Sequence, residues 1–264
     1  MKGNPLLEIN PQLMIIFFFC LLGFTMILFY LLLVSQSNQR FRKWPLYRTL
    51  CWSAGIFIVT IVMSRLLSKP PHFIEHMLHH LLLGMLAPLL LVLSSPMTLL
   101  LRSLSVTHAR RITKILKRPL ITIYHHPMIA SLLNIGGMWL IYQTDLHYLF
   151  HHHLLISFLI HAHFLFAGYL FTASMISFDP NPHRYSFRYR AMVLIFALAG
   201  HAILSKWIYA HPPLGVSMRE AEIGGMMMYY GGDLIDFVII YLLCYEQYHI
   251  TRLKFPIQRD ATRT

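Results

Sequence analysis

Apolar positions along this chain gather into unbroken windows separated by short polar segments, with none of the strict alternation of half-buried strands. Such windows can be drawn near 12–34, 50–67, 76–101, 127–143, 153–177, 190–210 and 222–248. A helix needs roughly 17–25 apolar residues to cross about 30 Å of hydrocarbon. The pattern therefore predicts an all-α, polytopic membrane bundle of seven transmembrane helices, forming a single integral-membrane domain over residues 1–264. The second and fourth windows are the shortest and the third contains Pro88, so their bounds are the loosest. The first ends in SQSNQRFRK without a small-residue cleavage pattern, and reads as a retained anchor.

Composition agrees with this pattern: 56% of residues are hydrophobic, 12% are charged, and the mean hydropathy is +0.56. Basic residues then give an orientation, because short loops rich in Lys and Arg stay in the cytoplasm. Seventeen of them lie in 35–49, 102–126, 178–190 and the tail after 248, against only Lys2, Lys69 and Arg219 in the alternate segments. The expected arrangement has the amino terminus outside and the carboxyl terminus inside. A formal net charge of +12 is accounted for by these loops and by lipid contact, with no nucleic-acid partner needed. Cys20, Cys51 and Cys244 are isolated from one another and form no CxxC, which argues against a disulfide framework or a thiolate zinc site.

Histidine changes the picture, since the chain has seventeen. In the expected orientation twelve fall outside or in the outer half of the membrane, among them His76, His79, His80, His161, His201 and the group His147, His151, His152 and His153. At about 1.5 Å per residue, His80, His161 and His201 each come out roughly 12–15 Å deep. His76 and His80 share a helix face at i, i+4. On the last window Glu222, Met226, Tyr229, Asp233 and Asp236 keep i, i+3, i+4 spacing and form one polar stripe, expected to face inward.

Ionisable groups in hydrocarbon cost about 2.5 kcal/mol or more each, so a cluster of them reads as functional. Imidazole with thioether and carboxylate points first to copper, as Cu(I). Zinc remains an alternative, as does haem, which two facing histidines also ligate. The expected metal ligands are His76, His80, His161 and His201, with Glu222 and Met226 in support. Plainer readings stand beside this one: the HHH triplet as interfacial, His163 as a packed or hydrogen-bonded imidazole, and Met226, Met227 and Met228 as apolar filler. Two rival classes are open at this point. HMLHH has the HxxHH spacing of membrane di-iron hydroxylases, and Asp233 with Asp236 would suit a metal transporter.

Three segments carry a resemblance. IEHMLHHLLLGMLAPLLLVLSSP, HAHFLFAGYLFTASMISFDP and REAEIGGMMMYYGGDL are similar to signature helices of the CtaG family of bacterial cytochrome c oxidase assembly factors, together covering about 70–248. Two departures stand out, for the family's Asp-Gln is Glu220 and Ala221 here, and its Trp is Tyr229. Either Glu220 or Glu222 could serve as the acid. The resemblance implies a non-catalytic, multi-pass protein of the bacterial plasma membrane that delivers copper to the haem-copper oxidase catalytic subunit. Homo-oligomer formation is left open. On this reading Cu(I) would first meet the group from His147 to His153, settle in the membrane-embedded layer, and pass to the oxidase through lateral helix contact.

Overall fold

The computed structural model describes residues 11–68, 72–144, 153–176, 178–179 and 185–254, and among these every regular element is helical. In chain order they are α1 (Pro11–Arg40), α2 (Leu46–Ser68), α3 (Phe73–His79), a π-helical segment π1 (His80–Leu86), α4 (Ala87–Leu93), α5 (Pro96–Ser103), α6 (Val106–Leu116), α7 (Pro119–Tyr124), α8 (Pro127–Ser131), a second π-helical segment π2 (Leu132–Gly136), α9 (Gly137–Gln143), α10 (Leu154–Met175), α11 (Phe187–Ala210) and α12 (Met218–Lys254).

Among the described residues, six stretches are long and apolar enough to cross a membrane: Gln12–Arg40, Leu46–Leu66, Phe73–Ser103, Leu155–Met175, Phe187–Ala210 and Met218–Thr251. The window expected near 127–143 is helical, but α8, π2 and α9 together make only a short rod that begins at Pro127 and does not join the six. His126, just before it, packs its ring on Tyr185 and Tyr189 at the start of α11, and Tyr142 near its far end is bonded to His76 of α3. The polar segment 102–126 also differs from a plain loop, since it folds into α6 and α7, neither of which buries a residue.

Burial orders the helices from rim to centre. Only 11% of the apolar window of α1 is buried, so it is the rim helix, whereas 67% of the window over Phe73–Ser103 is buried, making that rod the centre. Close backbone contact holds the centre together: a Cβ on Gly168 of α10 would run into the carbonyl of Gly84 in π1. One core cluster lies around Met77, Met138, Phe164, Leu204 and Met228, and a second around Leu89, Phe171, Val193 and Ile239.

The end of the bundle rich in basic residues is tied by named bonds. After α4 the chain turns at Ser95, whose φ of 50° is left-handed. The following proline disfavours the right-handed helical region at this residue, so the rod breaks here. Asp179 then accepts hydrogen bonds from the backbone N–H of Met97 and Thr98 (3.2 and 2.7 Å) and from the Thr98 hydroxyl (2.7 Å). The aspartate of the SFDP stretch is thus the cap of α5, satisfying donors that a helix start leaves open. Tyr30 of α1 donates to the Ser94 carbonyl at 2.7 Å. Arg190, 2% exposed, forms a two-pronged pair with Glu246 of α12 at 3.2 and 3.1 Å and also donates to the Met175 carbonyl at 2.6 Å.

Candidate metal centre

At the opposite end, α3 carries His76 and His79 into the bundle, and π1 opens with His80; all three are buried. His161 of α10 and His201 of α11 are buried as well. The rings fall into two groups. His161 stands 5.1 Å from His76 and 5.6 Å from His79 between ring centres. His80 stands 6.0 Å from His201. Phe164, one turn beyond His161 on α10, packs against His76 (5.9 Å), His161 (5.9 Å) and His80 (5.0 Å), and so stands between the groups. The layer expected at the depth of His80, His161 and His201 thus holds two ring groupings, called here the outer and inner chambers, with Phe164 in contact with both.

In the outer chamber, one nitrogen each of His76 and His161 is hydrogen-bonded. His161 Nδ1 lies 2.8 Å from the Ser157 carbonyl, which only accepts, so Nδ1 carries the proton and Nε2 the lone pair. His76 Nε2 is bonded to the Tyr142 hydroxyl at 2.8 Å. His79 Nε2 is 3.9 Å from Glu75 Oε1, and Glu75 in turn meets Arg65 at 3.2 Å. Metal-binding imidazoles characteristically use their second nitrogen in this way, to fix ring orientation. With metal–nitrogen bonds of about 2 Å, ring centres around one ion lie about 5.5 Å apart in a trigonal set and about 6.3 Å in a linear pair. The observed separations are of that size. Among the described residues no three His, Cys, Asp or Glu side chains are placed to hold a metal ion as they stand.

The inner chamber is different in kind. His80 has both ring nitrogens buried without a hydrogen-bond partner, and His201 Nε2 is in the same position. Both face a small interior cavity, about 10 Å³ in water-accessible volume, to which Asn134, Thr172 and Asp236 also contribute.

Other expected residues lie elsewhere. Met226 is 43% exposed on the outer face of α12 and does not join the histidines. Glu222 is half-buried and has no described contact with the rings. Glu220 and Ser217 form a capping box: Ser217 Oγ donates to Glu220 Oε2 at 2.7 Å, and the Glu220 N–H donates back to Ser217 Oγ at 3.3 Å. Of the two acids, Glu220 is thereby committed to starting α12. The polar stripe expected to face inward does so only at Asp236: Met226 and Asp233 are exposed, and Glu222 and Tyr229 are half-buried. The inward row is instead Ala221, Gly225, Met228, Gly232 and Asp236. His163 donates from Nε2 to the Leu133 carbonyl at 3.1 Å, the hydrogen-bonded imidazole of the plainer reading. His153 is exposed, while His147, His151 and His152 lie outside the described residues. His79 was absent from the expected ligand set, although HMLHH displayed it; Tyr142 and Phe164 had no sequence signal beyond being aromatic.

Residues 28–249 match the family described as cytochrome c oxidase caa3 assembly factor (Caa3_CtaG). The chain belongs to this family. The matched residues include both groups of rings, Asp179 and the Arg190–Glu246 pair. Two mycobacterial relatives are similar over 178 residues at 29% identity: the uncharacterized protein Mb0105 of Mycobacterium bovis and the uncharacterized protein MT0111 of Mycobacterium tuberculosis. The similarity covers 64% of this chain and 27% of each relative, so the CtaG chain spans about a quarter of their length. No solved structure matches.

Proposed function

We propose that this assembly factor binds Cu(I) as cargo in the outer chamber and passes it to the catalytic subunit of the oxidase, itself performing no catalysis. One observation carries the reading: the buried rings of His76 and His79 both converge on His161, at 5.1 and 5.6 Å between ring centres, with His76 oriented by Tyr142 and His161 by the Ser157 carbonyl. Neutral imidazoles suit Cu(I), and an ion moving between them by ligand exchange never enters hydrocarbon bare. Lateral docking against the oxidase would complete the transfer. The proposal places the protein in the bacterial plasma membrane, with the rod over Pro127–Gln143 as a seventh crossing and the amino terminus outside. The alternation of basic loops supports this arrangement. A transporter is less well supported, since Asp233 turns to the outer face of α12 and the path it would continue is interrupted.

The test pairs binding with assembly. Wild-type protein loaded anaerobically should retain Cu(I) against a competing chelator, and the His161→Gln variant should lose its tight site. Cells relying on that variant should contain oxidase with haem but lacking copper. Copper-replete oxidase in those cells would refute the proposal.

A further inference from the structure

At the basic end of the bundle, where α1 and α5 finish, an open groove of about 850 Å³ has α6 as its far wall. From that helix it is lined by Val106, Ala109, Arg110, Thr113, Lys114 and Lys117, whose i, i+3, i+4 spacing makes one continuous helix face. The near wall is formed by Arg40 and Phe41 at the end of α1 and by Leu101, Arg102 and Leu104 at the end of α5. Five cationic side chains thus share the groove with apolar ones. No carboxylate answers them: the sequence has no Asp or Glu between Glu8 and Glu75 or between Glu75 and Asp145, and among the described residues none of the five cations is in an ion pair.

Helix α6 also lacks a packing partner. Its 11 residues fall short of the roughly 12–15 at which an isolated helix is even marginal in water, and none of them is buried. Val106 and Ile115 are exposed, as are Leu120 and Ile123 of the adjoining α7. A helix both basic and apolar, beside the ends of two membrane spans, is suited to the layer where headgroups meet acyl chains. Tyr47 at the start of α2 and Tyr124 at the end of α7 are exposed at the same end of the bundle, where a membrane-water boundary favours tyrosine. Arg102 is held in position, for it donates to the Arg42 carbonyl at 2.8 Å and lies over the rings of Phe41 and Trp44 at 5.0 and 5.1 Å. A guanidinium has five donors, so others remain for a phosphate oxygen.

We propose that this groove binds one anionic diacyl phospholipid, its phosphate held by Arg102, Arg110 and Lys114 and its acyl chains running over Phe41, Leu101 and Val106. Basic pockets at the ends of membrane helices take acidic headgroups in this way. The lining decides the occupant. A free phosphate or an acidic peptide would satisfy the cations and leave the apolar side chains in water, whereas an amphiphile satisfies both. Ala109 and Thr113 are small, which lets a headgroup approach the helix between Arg110 and Lys114. The site goes beyond the diffuse attraction of basic loops to an acidic surface, because its walls come from three helices and the lipid joins them. It is independent of the copper cargo.

The experiment titrates full-length protein in a neutral detergent with dioleoylphosphatidylglycerol and dioleoylphosphatidylcholine, which differ only in the headgroup, and counts retained lipid by native mass spectrometry. Wild type should retain one phosphatidylglycerol at least tenfold more tightly than phosphatidylcholine. Arg110→Gln combined with Lys114→Gln should abolish that preference, and so should Ala109→Trp, which keeps every charge and fills the groove. Arg111→Gln combined with Arg118→Gln removes the same charge from outside the lining and should keep the preference; circular dichroism verifies that each variant is folded. Equal retention of the two lipids by wild type overturns the proposal. So does an equal loss in the Arg111 and Arg118 pair, since diffuse charge would then suffice. Displacement by glycerol phosphate, or by a polyglutamate peptide, as readily as by phosphatidylglycerol overturns the lipid as occupant and gives the groove to a free phosphate or to an acidic protein segment.

Discussion

Tyr142 offers the sharpest trial of the outer chamber because its hydroxyl reaches His76 Nε2 at 2.8 Å from a different rod of the bundle. Tyr142→Phe removes one oxygen and leaves the packing of the ring intact. Losing a net hydrogen bond of this kind costs about 0.5–1.5 kcal/mol, and about 1–3 kcal/mol where a buried group is left unsatisfied. That range corresponds to roughly a few-fold to a hundredfold, since about 1.4 kcal/mol is a factor of ten, and second-contact partners of metal-binding histidines typically matter by about 10–100-fold. The expected outcome is a Cu(I) affinity lowered by about tenfold, read by chelator competition. Thermal unfolding in the same detergent should fall by no more than a few degrees. Copper affinity equal to wild type in folded Tyr142→Phe would show that the hydroxyl does not orient His76 for an ion, and the argument from engaged second nitrogens would fail.

Other outcomes follow from single residues. Asp179→Ala removes the cap of α5 and three accepted hydrogen bonds; it should destabilise the protein by about 1–3 kcal/mol in detergent unfolding, with copper binding per folded chain unaltered. Met226→Leu should leave copper affinity unchanged, because the side chain is exposed on the outer face of α12; a tenfold loss would restore it to the site. An impermeant thiol reagent applied to intact cells of a cysteine-free background should label Ser217→Cys and spare Ser105→Cys until the membrane is opened. The reverse pattern would invert the proposed orientation.

Hydropathy made the six long spans legible, because crossing hydrocarbon imposes a length and an apolar composition that no other demand disguises. The rod from Pro127 to Gln143 was visible as a helix, and its length sits near the short limit for a crossing. Counting residues along each span set His80, His161 and His201 at one level, and their rings, with that of His76, lie in neighbouring pairs. Their division into two chambers was invisible, for it depends on the π turn that starts at His80 and on where Phe164 sits. The last helix was misjudged because polarity was taken as the sign of an inward face. Its inward row is set by small residues, Ala221, Gly225 and Gly232, which let α11 and the His201 ring approach, and Asp236 arrives on that row. Ser217 and Glu220, spaced as a helix-start signature, were readable in advance as a capping box.

The two π turns carry a consequence for how this chain compares with its kin. Each is one surplus residue within a rod, and deleting it would restore α-helical winding and swing everything downstream by about 100°. Insertions and deletions in membrane proteins ordinarily gather in the connecting segments. Here a gap of one position within His80–Leu86 or Leu132–Gly136 is a physically sensible difference between homologues, marking which of them aim an imidazole and an amide at the central void and which do not.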